Sequence, residues 1–235
     1  MQELTGLFLD SLRLLAGFDG NLVEIVALSL HVSLSAVVIS GAIGLPLGAL
    51  LAISRFPGHG AVIVLVNALM GLPPVVVGLL VYLMVSNAGP LGVLQLLYTP
   101  TAMIIAQAVL VTPIVTALAR QTLEDLNAEY GEQLTAFGVG RAGRVATLVW
   151  DGRYSLLTAL LAGFGRAIAE VGAVIIVGGN IDHVTRVMTT AIALETSRGN
   201  LALALALGLV LMIIAVAVNG LVMALRLTEP RSAHA

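Results

Sequence analysis

Long apolar runs alternate with short polar breaks along the whole chain. Residues 1–20 set Leu4, Leu7, Phe8, Leu12 and Leu15 at helical spacing, with Glu3, Asp10 and Arg13 between them. That pattern predicts an amphipathic helix, too short and too charged to span a bilayer and suited to its surface. Gly17, Phe18, Asp19 and Gly20 end it, glycine being the usual stop. Residues 23–54 form the first apolar run, longer than the ~20 residues a bilayer core requires. Its polar members, Ser29, His31, Ser33, Ser35 and Ser40, are neutral; Gly41, Gly44 and Gly48 permit close helix contact. Pro46 predicts a kink. After a turn at 55–60, residues 61–85 make the second run, centred on Gly71-Leu72-Pro73-Pro74. Neither proline has an N–H to donate, so this span breaks in its middle. Backbone broken at membrane depth must face protein or a water-filled path.

The uncharged stretch 86–100 reads as a loop, and 101–118 as a third span with a kink at Thr112-Pro113. A polar island occupies 120–153. A fourth span, 155–178, carries Arg166 and Glu170 in an otherwise apolar run. Residues 179–200, with Asp182, Arg186, Glu195 and Arg198, read as a loop, and 201–225 as a fifth span. About 25 apolar residues without a turn signal favour helix there over strand. The expected fold class is all-α: an N-terminal amphipathic helix (1–20), a five-helix transmembrane bundle (21–227) whose third loop is centred on 124–150, and a short tail (228–235).

Composition sharpens this into a membrane protein. Of 235 residues, 59% are hydrophobic and 10% charged, where soluble domains carry about 25% charged. All 11 basic residues are Arg and the net charge is −2, which gives nucleic acid no basic footprint. With no cysteine, disulfides and thiolate-bound metals are excluded. The acidic start MQELTGLFLD lacks the positive segment of a secretory signal. Orientation follows from the arginines. With the polar island in the cytoplasm, that side holds Arg55, Arg120, Arg141, Arg144, Arg153, Arg226 and Arg231, and the other only Arg13, Arg186 and Arg198. The asymmetry predicts the N-terminus outside and the C-terminus inside.

Within the island, Glu132, Ala136 and Gly138 have the spacing E-x-x-x-A-x-G. Small residues there expose little side chain and can enter a partner's groove, while Phe137 offers an apolar anchor of the kind that dominates interface energy. The alternative is an ordinary solvated loop. Arg166 and Glu170 are four apart and share a helix face, at a depth where charges normally pair and face the bundle interior. They read either as a structural ion pair or as part of a path or gate. Glu170 largely cancels the field of Arg166, which favours a packing or gating device over a high-affinity anion site. Thr189 and Thr190, with Thr185 and Asn180, suit a path from which an ion must leave again, or else satisfy the backbone of an irregular loop. His31 and His183 stand alone and predict no metal site. The chain has neither a G-x-S-x-G elbow nor a G-x-x-x-x-G-K-[ST] phosphate loop, so any ATP that drives it binds elsewhere.

A helix–turn–helix loop after three spans resembles the coupling loop of ABC-transporter permease subunits. Glu132 and Gly138 fall on that signature's Glu and Gly positions. Its two Ala positions hold Gln133 and Leu134, and its I-x-L-P end reads Leu148-Val149-Trp150-Asp151. The stretches GLPPVVVGLLVYL (71–83), GPLG (89–92), YTPTAMIIAQ (98–107), GFGRAIAEVGAVIIVGGNI (163–181) and TRVMTTAIALETSRGN (185–200) resemble permeases for tetrahedral oxyanions. Among these they look most like the dedicated tungstate permeases; molybdate and sulfate permeases are similar in Arg166, Ala167, Glu170 and Gly172. The resemblance spans about residues 22–227. It implies a type I ABC importer permease of a prokaryotic cytoplasmic membrane, working as a homodimer. Two cytoplasmic ATPase subunits would carry ATP and Mg, an external binding protein would deliver the anion, and this chain would hold no cofactor. Glu132, Ala136, Phe137 and Gly138 would couple to the ATPase; Pro73, Pro74, Arg166, Glu170, Thr189 and Thr190 would line the path or gate. Molybdate permeases of this type often carry an additional N-terminal span, which the five-span count here lacks. The competing classes are a passive channel, which needs no ATPase, and an integral-membrane enzyme, which needs convergent acid–base groups at one depth.

Overall fold

A computed structural model describes residues 2–17 and 19–228, so all but the first residue of the expected 228–235 tail lies outside the described residues. The described residues form ten α-helices and one 3-10 turn, Gly92–Leu94, and contain no strand. The helices are α1 (Gln2–Ala16), α2 (Gly20–Ile53), α3 (His59–Met70), α4 (Pro74–Val85), α5 (Pro100–Ala136), α6 (Arg141–Asp151), α7 (Arg153–Ile168), α8 (Gly172–Gly178), α9 (Met188–Arg198) and α10 (Leu201–Thr228).

α2 and α5 are the spine. Asp19, on the expected turn, caps α2 by accepting from the Asn21 and Leu22 amides, each at 3.1 Å, a contact of about 1 kcal/mol. The two helices approach so closely at Gly48 that a Cβ there would lie 2.7 Å from Ala119 Cβ and 2.8 Å from the Thr116 carbonyl. Ser40 ties the same pair by donating to the Ala108 carbonyl at 3.2 Å. α7 packs against both, burying Phe164 with Val111 and Val115. α8 lies on α4, with Val174 and Val177 among Val77, Val81 and Met103. α1 packs beside α10, turning Leu14 and Leu15 to the core and leaving Phe8, Leu9 and Leu12 exposed.

Three helices, α2, α5 and α10, are long and apolar enough to cross a membrane, and two bent pairs bring the number to five if each crosses once. α3 and α4 meet at 100°, at the double proline, and α7 and α8 at 60°. The second and fourth apolar runs are therefore each two helices, and the fourth breaks without any proline.

Two sequence readings change. The helix that carries the third span outlasts the apolar run ending at residue 118: α5 is 37 residues long and reaches Ala136, about 55 Å at 1.5 Å per residue. Its extension, QTLEDLNAEYGEQLTA, is polar but made largely of good helix formers, so helix outlasts apolarity. The segment 179–200 is not all loop, because α9 occupies its second half. The expected kink positions Pro46 and Pro113 both lie inside helices, α2 and α5.

Candidate functional site: a braced tip and a capped joint

The polar island projects as a tip made of the end of α5, a turn, and α6. Gly138 makes the turn. With φ at +70° it occupies the left-handed region, and its amide bonds the Thr135 carbonyl while that of Val139 bonds Leu134, both at 3.0 Å. This is the paired hydrogen bonding of a Schellman stop, which satisfies carbonyls that the helix end would leave open. Ala136 and Glu132 are exposed. Phe137 is 82% exposed and Trp150, at the far end of α6, 68%. Large apolar side chains are thus held out at the end of α5 and near the end of α6.

The tip is rigid. Arg144 of α6 reaches back to α5, its Nε donating to Asn127 Oδ1 at 2.6 Å, and its guanidinium lies against Gly131, where any side chain would collide with it. Leu148 is fully buried with Leu123, Leu156, Ala49 and Ala52, so α6 is keyed to the spine and to α7. Only Gly152 separates α6 from α7, and beyond it Arg153 stacks 4.8 Å from the Trp150 ring centroid and 4.6 Å from that of Tyr154. Arg120 pairs with Glu124 within α5, and the largely exposed Arg55, just past the end of α2, approaches the same carboxylate at 3.8 Å.

The second constellation is the joint between α7 and α8. Arg166 Nη1 pairs with Glu170 Oε2 at 2.5 Å. The other carboxylate oxygen, Oε1, accepts from the Ala173 amide at 3.0 Å and so caps α8. The Ala167 carbonyl accepts from the Glu170 amide at 3.1 Å and also from Gln107 Nε2 of α5 at 3.0 Å. That of Glu170 accepts from Thr189 Oγ1 of α9 at 2.8 Å. The Glu170 side chain is 3% exposed and that of Arg166 36%, so the pair is buried at its acidic end and open at its basic end. Pro73 caps α4 and Pro74 is its first residue. α4 starts against α8: a Cβ on Gly172 would lie 2.8 Å from Val75 Cγ2. The two helix breaks thus meet at one level.

The model of the family described as binding-protein-dependent transport system inner membrane component matches residues 44–227, which takes in both constellations. The chain belongs to this family. A probable anion ABC transporter permease protein of Haloferax volcanii is 41% identical over 77% of this chain and 80% of its own. A tungstate uptake system permease protein of Peptoclostridium acidaminophilum is 40% identical over 93% of this chain and 96% of its own. A sulfate transport system permease protein of Salmonella typhimurium is 30% identical over 66% of this chain and 58% of its own. The chain is a multi-pass membrane component of a transport system.

In this transport component Thr185, Thr189 and Thr190 are committed to backbone. Thr190, fully buried, accepts from the Val187 amide and donates to its carbonyl. Thr185 donates to Gly178 and accepts from Ile181, and Asn180 donates to the Thr190 carbonyl. Neither Thr189 nor Thr190 lines an open surface here. Ser29 of α2 accepts from the Met188 amide at 2.8 Å, anchoring the start of α9. His183 bonds Glu24 at the start of α2, Nδ1 to Oε2, at 2.8 Å. That bond and the charge of Glu24 raise the His183 pKa above its ordinary 6.5. Among the described residues no group of His, Asp and Glu could hold a metal ion.

Gln107, Ser29 and Asn127 are the site residues that sequence reasoning missed. Each lies in an apolar or polar run like its neighbours, and each partner is 17 or more residues away, beyond any periodicity.

Proposed function

We propose that this chain is the membrane-spanning subunit of an ATP-driven importer for a tetrahedral oxyanion, with tungstate its cargo. The observation that carries the reading is 40% identity, over 93% of the chain, to a tungstate uptake system permease protein. In this reading two copies form the pathway, an external binding protein delivers the anion, and two cytoplasmic subunits bind MgATP. The arginine asymmetry supports a tip in the cytoplasm and an N-terminus outside.

The tip geometry suits such coupling. Phe137 and Trp150 would fill pockets on the ATPase, and the small Ala136 and the Gly138 turn would let the backbone approach closely. Closure of the two ATPase subunits on MgATP would draw the two tips together. Because Arg144 and Leu148 key each tip to α5 and α2, the movement is a rigid-body rotation rather than a local bend. The α7–α8 joint, capped by Glu170 and held by Gln107 and Thr189, would travel as one piece, so that the side open to the anion alternates.

The test is uptake by proteoliposomes carrying the chain with its ATPase and binding protein. Tungstate should accumulate only with internal ATP and the binding protein, and a tenfold excess of sulfate should leave it largely unaffected. Equal competition by molybdate or sulfate would reassign the cargo, and accumulation without ATP would overturn the importer reading.

A further inference from the structure

α1 has three faces. Ser11, Leu14 and Leu15 turn inward, Ser11 fully buried and the two leucines packed on the core. Asp10 and Arg13 make an exposed charged face and pair with each other at 3.2 Å. On the third face Phe8, Leu12 and Ala16 stack at four-residue spacing, with Leu9 beside them, all exposed. A helix immersed in water needs two faces, one packed and one polar. The exposed apolar face is the addition that a helix lying on a membrane carries.

Position agrees with that chemistry. On one side of α1 an open apolar groove of about 690 Å³ is lined by Leu7 and Phe8, by Ile192 and Thr196 of α9, and by Leu201 and Leu205 of α10 among others. On another side a hollow of about 470 Å³, lined by Asp10, Arg13, Gly17 and Asp19, reaches α10 at Ala202. From Leu7 to Gly17 α1 advances about 15 Å, whereas Leu201 to Leu205 spans about 6 Å. α1 therefore lies across the first turns of the spanning helix α10 and not along it. Apolar groove and charged hollow are held apart by the body of α1.

Three kinds of neighbour could meet the apolar side, and they ask for different surfaces. Water is the costly one for a contiguous row of Phe8, Leu9 and Leu12. Seams between helices inside a membrane are enriched in small residues and in polar groups that bond across. Below the groove α10 shows the opposite: Met212, Ile213, Val216, Leu221 and Met223, all large, apolar and exposed. Only 17% of its apolar stretch is buried, against 50% in α2 and 61% in α5. The charges of α1 are matched on their own helix and leave none for a partner chain. Flexible acyl chains are the neighbour that such a surface fits.

We propose that α1 lies in the plane of the membrane surface, with Phe8, Leu9 and Leu12 among acyl chains and Asp10 and Arg13 among headgroups, and that the groove beside it holds one acyl chain of a phospholipid, which seats α1 on α10. This needs only a chain that spans the bilayer and is independent of the cargo.

The chain has no cysteine, so nitroxide labels on single introduced thiols read the phase each face meets. In the assembled transporter in phosphatidylcholine nanodiscs, labels at Leu9→Cys and Leu12→Cys should collide with oxygen in preference to a nickel chelate, and the label at Asp10→Cys with the chelate. The oxygen-to-nickel ratio should be several-fold higher at 12 than at 10. Equal ratios would make the face wet and overturn the proposal. So would spin–spin broadening between two copies at 12, which would make it a seam. A phosphatidylcholine with a photoreactive diazirine midway along one acyl chain tests the groove itself. Adducts should concentrate between residues 192 and 205. Thr196→Trp, which fills the groove from an exposed position on α9, should lower them several-fold, and Thr196→Val should leave them unchanged. Adducts spread evenly along α10 and indifferent to Thr196→Trp would refute the bound chain.

Discussion

Replacing Glu170 separates the two roles its carboxylate plays at the α7–α8 joint. One oxygen caps α8 through the Ala173 amide, a contact of about 1 kcal/mol. The other pairs with Arg166. Breaking a fully buried pair costs about 3–5 kcal/mol. The guanidinium here is 36% exposed and can recover part of its solvation, which discounts that figure to about 2 kcal/mol. Glu170→Gln keeps an acceptor for the cap and loses the pair, so it should cost about 2 kcal/mol. Glu170→Ala loses both and should cost about 3 kcal/mol. For a chain of this length 1 kcal/mol moves the melting temperature by about 2–4 °C, so Glu170→Gln should melt about 4–8 °C low. The deciding variant is Arg166→Met combined with Glu170→Gln. With no charge left unpaired, it should recover at least half of the loss in Glu170→Gln. The assay is thermal unfolding of the purified chain in lipid nanodiscs, followed by far-UV circular dichroism. A Glu170→Gln protein that melts with the wild type, or a double variant whose loss equals the sum of the singles, would refute the assignment of a coupled pair and cap.

Gly138→Ala puts a Cβ on a residue at φ +70°, a strain of about 1–2 kcal/mol. Melting should fall by about 2–8 °C and co-purification of the ATPase several-fold; unchanged co-purification would show that the turn does not shape the docking surface. Phe137→Ala removes a side chain 82% exposed in the isolated chain, so stability should stay within about 0.5 kcal/mol. If it is an interface anchor of about 2 kcal/mol, affinity for the ATPase should drop roughly 30-fold, and equal affinity by surface plasmon resonance would remove it from the interface. His183 is held protonated above its ordinary 6.5 by Glu24. The stabilising contribution of the charged clasp is therefore full below the unfolded value and lost as pH rises through the raised folded value. His183→Gln should lower melting at acidic pH and become indistinguishable from wild type at alkaline pH; a pH-independent difference would contradict the titration.

The parts legible in the sequence were those in which local chemistry decides. The break at Pro73-Pro74 follows from two missing N–H donors, and the polarity of 120–153 marks the helical island outside the apolar runs. The α7–α8 break was not legible, because it contains no proline and is maintained by Gln107, Thr189 and the Glu170 cap, supplied partly by distant helices. α9 was hidden for a similar reason. Its sequence MTTAIALETSR is short and threonine-rich, and its first amide is satisfied by Ser29, 159 residues away. The polar island was legible as helix–turn–helix, but not that its first helix is the unbroken continuation of the third span, since polarity changes there while helix propensity does not. Thr189 and Thr190 could be read as path or as backbone partners, and only their three-dimensional neighbours show them bonded to backbone.

The claim beneath the whole account is that force enters this chain at its braced tip from a nucleotide-hydrolysing partner. Its most direct test is a photo-crosslinking amino acid at position 137, activated in membranes that hold the native transporter. The account predicts an adduct with the cytoplasmic ATPase, lost when α6 is freed by Arg144→Ala. An adduct with the external binding protein, or no protein adduct in a complex that still takes up oxyanion, would contradict it.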